Sequence, residues 1–115
     1  MNEPLYAHPL DSFKQRVLHT VASIPYGHVC SYGTVARRSG SARAARQVGA
    51  ILKHLPDGHT LPWHRVVNRH GQISLSGQDH QRQKKALMAE GIVFAADDSI
   101  DLSRYEWLHE PEIQA

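Results

Sequence analysis

Three kinds of side chain in this sequence could do chemistry, and their spacing limits what that chemistry is. The first is a thiol: Cys30 is the one cysteine among 115 residues. A thiolate is a strong nucleophile, but Cys30 follows Val29 in an apolar context with no adjacent base, which reads as a buried structural cysteine. The second is imidazole, at His54, His59 and His64. Intervals of five do not share a helical face, Pro56 and Pro62 intervene, and no cysteine joins the set, so a zinc site is a weak reading. The third is the run Leu61-Pro-Trp-His-Arg-Val-Val67, which sets an indole, an imidazole and a guanidinium in succession between a proline and a β-branched pair. No serine stands in the Gly-x-Ser-x-Gly setting of a hydrolase.

Charge distribution points to a partner. The net charge is +2, but residues 12–78 hold nine basic residues against the single acid Asp57, while both ends are acidic. A basic centre is the pattern of a face that meets a polyanion. At this length the chain is expected to be one domain, residues 1–115, with a core over about 10–95 and an acidic tail over 97–115. One cysteine excludes a disulfide framework and implies a reducing compartment. The first residues lack the basic-then-apolar pattern of a signal peptide, and apolar runs are short. A cytoplasmic protein with no membrane association, nucleoid-associated if bacterial, is the expectation.

Several elements must position those groups. Phe13, Val17, Leu18 and Val21 recur at helical spacing, which predicts a helix over 12–24 capped by Asp11 and stopped by Pro25 and Gly27. Ser31 is placed to cap a short helix Tyr32–Arg38, and Ser41 a longer one from Ala42 to about Leu55. Two helices across a glycine-containing turn form a helix-turn-helix pattern, the second being the recognition element. Ala45, Val48, Leu52 and Leu55 make its inward face; Arg43, Arg46, Gln47 and Ala50 make the other, narrow and basic. Arg65–Val67 and Gln72–Ile73, around Asn68 and Gly71, read as a hairpin, hence a wing. Gln81–Glu90 is a last helix closed by Gly91, Ile92–Phe94 is extended, and Tyr105, Trp107 and Leu108 are placed to dock the tail. The fold class is therefore mostly α with a small β hairpin, a winged helix-turn-helix.

In order and spacing, Ile24-Pro-Tyr-Gly27, Ser31-Tyr-Gly33, Ala44-Ala-Arg-Gln-Val-Gly49, Pro62-Trp-His-Arg-Val66, Gly71, Ser76-Gly77, Lys84 and Glu90-Gly91 resemble the DNA-binding, C-terminal domain of O6-alkylguanine-DNA alkyltransferases. The match runs from about Phe13 to Gly91. Those enzymes carry Pro-Cys-His-Arg-Val, whose cysteine takes the alkyl group from the damaged base, where this chain has Trp63. An indole is no nucleophile, because its nitrogen lone pair belongs to the ring. The substitution is the mark of the alkyltransferase-like proteins, and it implies a DNA-damage sensor, not an enzyme, with no catalytic residue, metal or cofactor. About a dozen residues precede the match, so the enzymes' N-terminal domain is expected to be missing.

The resemblance implies a lesion pocket of Tyr32, Trp63, His64, Val66, Ser76 and Gly77, with Glu90 supporting it through His64. It implies DNA contacts from Tyr32, Gly33, Thr34, Ala42, Arg43, Arg46, Gln47 and Arg69. Tyr32 matches a tyrosine that rotates the nucleotide's phosphate, Arg46 an arginine that fills the vacated stack, while Arg43 and Arg69 read as phosphate contacts. Leu55 and Ser76 stand where the enzymes have an asparagine and a tyrosine, so a roomier pocket is expected. The partners implied are duplex DNA containing O6-alkylguanine and damage-recognition proteins of nucleotide excision repair, met by a monomer. Flipping is required because the O6 substituent cannot be enclosed while the base stays stacked. Two other readings stay open: a winged helix-turn-helix regulator reading sequence in the major groove, and a residual alkyltransferase using Cys30.

Overall fold

The computed structural model describes residues 12–108. Helix α1 spans Phe13–Ser23. Its cap is Ser12, whose Oγ accepts from the Gln15 N–H at 3.0 Å while the Gln15 side chain accepts from the Ser12 N–H. This reciprocal pair satisfies two orphan helix donors, a role the sequence reading had given to Asp11, which lies outside the described residues. Val17 and Val21 are fully buried, as their spacing predicts.

Strand β1 is Cys30–Ser31 and β2 is Val66–Val67, and they pair in parallel, Cys30 opposite Val66 and Ser31 opposite Val67. The expected hairpin does not form. Asn68 instead folds residues 68–72 into a loop, its Oδ1 accepting from the His70 and Gln72 N–H groups and its N–H donating to the Gln72 carbonyl. Gln72 and Ile73 are no strand, and the Ile100 N–H donates to the Gly71 carbonyl at 2.8 Å. The turn chemistry was legible; the strand partner was not, because a parallel partner lies across a long crossover.

That crossover is helix α2, Tyr32–Arg38, and helix α3, Ala45–Lys53. Ser31 caps α2 as expected, its Oγ accepting from the Thr34 N–H at 3.1 Å. Helix α3 is shorter than the expected Ala42–Leu55. Ser41 serves the turn and not a cap: its N–H donates to Ala36 and its carbonyl accepts from Ala44, so Ala42 and Arg43 stand exposed ahead of the helix. Helix α4, Gly77–Ala89, starts four residues before the expected Gln81, because its polar first turn carries no apolar periodicity. Helix α5 is Leu102–Tyr105.

The two strands divide the core. Successive strand residues face opposite sides. Cys30 and Val66 join Val17, Val21, Val35 and Val48 on one side, and Val29 and Val67 join Leu87, Ile92 and Ile100 on the other. The tail closes both, as Val29 N–H donates to the Tyr105 carbonyl and Trp107 N–H to the Val29 carbonyl. Tyr105 and Trp107 are buried, whereas Leu108, also expected to dock, is exposed. Among the described residues no helix is long and apolar enough to cross a membrane.

Gly71 marks a close approach: its φ is +74°, and a Cβ there would collide with the Ile100 carbonyl. Gly71→Ala is expected to destabilise the fold by on the order of 3 kcal/mol, read as a lowered midpoint in urea unfolding.

Candidate nucleic-acid interface

The Leu61–Val67 run folds into a one-turn 3-10 helix over Trp63–Arg65 leading into β2. Pro62 precedes it at φ −81° and ψ 62°. Trp63 faces a cavity of about 660 Å³. His64 and Arg65 turn the other way, toward Glu90.

Glu90 ends α4 and is nearly enclosed, its side chain 7% exposed. Arg65 donates to it through Nε and Nη2, at 3.0 and 2.9 Å, and through Nη1 to the Ile24 carbonyl at 2.7 Å. The Gly27 N–H donates at 2.8 Å and His64 Nε2 at 2.6 Å. Burial alone pushes a carboxylic acid's pKa upward, but the hydrogen bonds from Arg65, Gly27 and His64 outweigh it and hold Glu90 at about 2. Beside this cluster, the fully buried Gln83 donates through Nε2 to the His64 and Val66 carbonyls, at 3.1 and 2.9 Å. Arg65 and Gln83 were missed from sequence. Gln83 sits in a polar run, and its burial has no signature there.

The cavity lies between α3, the loop that follows it, the Trp63 turn and the start of α4. Tyr32 and Gly49 form one side, and the Tyr32 hydroxyl meets the Ser74 hydroxyl at 3.0 Å. Ala45, Leu52 and Leu55, expected to pack inward, wall the cavity and are half-buried; Leu52 also packs against the core, as expected, and Val48 is buried within it. Arg46 and Lys53 from α3 and Arg82 from α4 stand on its rim, with Asp79 the one acid among its lining residues.

Of the pocket residues inferred from sequence, the structure brings Tyr32 and Trp63 together, with Arg46 beside them. It sets four elsewhere. Val66 is 1% exposed within the core, because it is the strand residue paired with Cys30. His64 is held by Glu90, and Ser76 and Gly77 form the exposed start of α4. Arg43, Gln47 and Arg69 are exposed, Gly33 is half-buried, Thr34 is buried and hydrogen-bonded to Ser31, and Ala42 is exposed. His59, Asn68 and Leu75 line the cavity although sequence reasoning gave them no part in it. Their only sequence signal was proximity to Trp63.

Cys30 does not line the cavity. It is fully buried, and burial pushes its thiol up to about 11, with Arg38 opposing only in part. No group of three or more potential ligands that could hold a metal occurs among the described residues.

A helix-turn-helix pair thus stands beside a cation-rimmed cavity. The chain belongs to the family described as "6-O-methylguanine DNA methyltransferase, DNA binding domain", which matches residues 12–92. It is 63% identical over 97 residues to the DNA base-flipping protein of Escherichia coli, covering 84% of this chain and 75% of that protein. It is 41% identical over 105 residues to alkyltransferase-like protein 1 of Schizosaccharomyces pombe, covering 85% and 96%. The crystal structure of S. pombe Atl1 with damaged DNA containing O6-carboxymethylguanine superposes with a TM-score of 0.77 at 39% identity, over 86% of this chain and 97% of that one.

The Glu90 cluster makes stability acid-sensitive. A carboxyl whose pKa falls from 4.5 to about 2 on folding contributes stability that is complete above about pH 4.5 and is lost as pH falls toward 2. That contribution is on the order of 3 kcal/mol. Urea unfolding across this window should show the loss in the parent protein and a much shallower slope in Glu90→Gln, whose amide does not titrate.

Proposed function

We propose that this protein is a non-enzymatic sensor of O6-alkylguanine in duplex DNA. It turns the damaged nucleotide out of the stack into the cavity, holds it unchanged in a bent duplex, and so marks it for nucleotide excision repair. The observation that carries this reading is Trp63 in the cavity wall, together with a sole cysteine that is buried and lines none of it. Trp63 offers a broad apolar face to a base or alkyl group, worth about 1–3 kcal/mol by stacking. Leu52 and Leu55 extend that apolar wall.

The remaining DNA contacts follow from position. Arg46 lies on the exposed side of α3 at the cavity edge, where it can enter the stack as the nucleotide leaves. Tyr32 stands across from it on α2. Arg43 and Arg69, both exposed, suit phosphates. The exposed alanines Ala42 and Ala50 let the backbone approach a minor groove closely. His64, Glu90 and Arg65 support the wall from behind. Relatives named for base flipping, and a relative solved on O6-carboxymethylguanine DNA, support the same reading.

Binding to duplexes that differ only by one O6-methylguanine tests it. The full chain should prefer the lesion, Arg46→Ala and Tyr32→Ala should each weaken lesion binding about tenfold, and thermal unfolding should show both variants folded. Equal affinity for both duplexes overturns the proposal. Mass spectrometry after incubation should find no alkyl group on the protein; a gain of one alkyl mass would make it an enzyme.

A further inference from the structure

His59 is the member of the 54–59–64 histidine series that lines the cavity, and the function proposed above gives it no task. Its ring is set by its own loop. The Leu61 N–H donates to His59 Nδ1 at 3.1 Å, and a backbone N–H can only donate, so Nδ1 presents its lone pair and the neutral ring carries its hydrogen on Nε2. Nε2 has no hydrogen-bond partner among the described residues. Two other polar groups of the cavity are engaged, the Ser74 hydroxyl with Tyr32 and Asn68 Oδ1 with two backbone N–H groups.

An oriented donor beside the apolar wall of Trp63 and Leu55 calls for an acceptor in the occupant. The surrounding charge says which acceptor. Arg46, Lys53 and Arg82 line the cavity against Asp79, and Asp79 is itself paired with Arg82 at 3.0 Å. An anionic oxygen fits better than a neutral one.

We propose that His59 is a specificity-determining residue whose Nε2–H donates to an oxygen on the O6 substituent of the everted guanine, favouring substituents that end in a carboxylate over alkyl chains of similar length. The inference rests on the lesion-binding reading above.

Fluorescence anisotropy with the full chain, at one salt concentration, tests it on three duplexes: unmodified, O6-propylguanine and O6-carboxymethylguanine. The readout is the ratio of carboxymethyl to propyl affinity, which a general loss of binding does not move. The expected ratio is about tenfold, the scale of one charge-assisted hydrogen bond. His59→Phe, which keeps a ring and removes the donor, should bring the ratio close to one. His59→Gln, whose amide N–H reaches a similar point, should keep most of it. A parent ratio at or below one, an unchanged ratio in His59→Phe, or loss of the ratio in both variants each overturns the proposal, the last by assigning the ring to packing. If the parent prefers either lesion over the unmodified duplex, lesion binding stands whatever becomes of His59; if it prefers neither, both readings fall.

Discussion

The rest of the structure hangs on one enclosed carboxylate. Burying Glu90 is unfavourable unless its oxygens find donors, and the chain brings them from two distant segments, Gly27 after α1 and His64 with Arg65 in the 3-10 turn, to the acid that ends α4. Arg65 then reaches past it to the Ile24 carbonyl, locking the end of α1 to the same point. Trp63 stands two residues before Arg65 on a single tight turn. The direction of the indole is therefore set by the direction in which its neighbours must face.

That arrangement separates support from reading surface. One side of the 3-10 turn is polar, enclosed and hydrogen-bonded to Glu90; the other is apolar and open. Gln83 strengthens the division by holding the His64 and Val66 carbonyls from α4, so the turn cannot rotate without leaving buried polar groups unpaired. The cavity is thus a surface left over after the core has closed. Its walls are half-buried leucines and an indole, and its rim is cationic, which matches a site that admits an aromatic base attached to a polyanionic strand.

The short parallel sheet does similar work with few residues. It sends Cys30 and Val66 into one core and Val67 into the other, where Val29, the residue before the first strand, joins it. The sole thiol is consumed by packing, which explains why it is so far from ionising. The α2–α3 crossover that parallel pairing demands is the helix-turn-helix itself, so that motif is also the connection that makes the sheet possible.

Helix positions, the Ser31 cap, the exposed basic side of α3 and the pairing of Trp63 with Tyr32 and Arg46 were legible in the sequence, because periodicity, capping chemistry and motif spacing are local or carried by resemblance. The family was equally legible. Tertiary structure alone decided that Val66–Val67 pairs with Cys30–Ser31 and not with Gln72–Ile73, that α4 begins at Gly77, and that Ala45, Leu52 and Leu55 wall a cavity while Val66 is core. It alone placed His59 in that cavity and Gln83 in the interior. Each of these depends on which distant segment covers a face, and a side chain's neighbours along the chain carry no record of that.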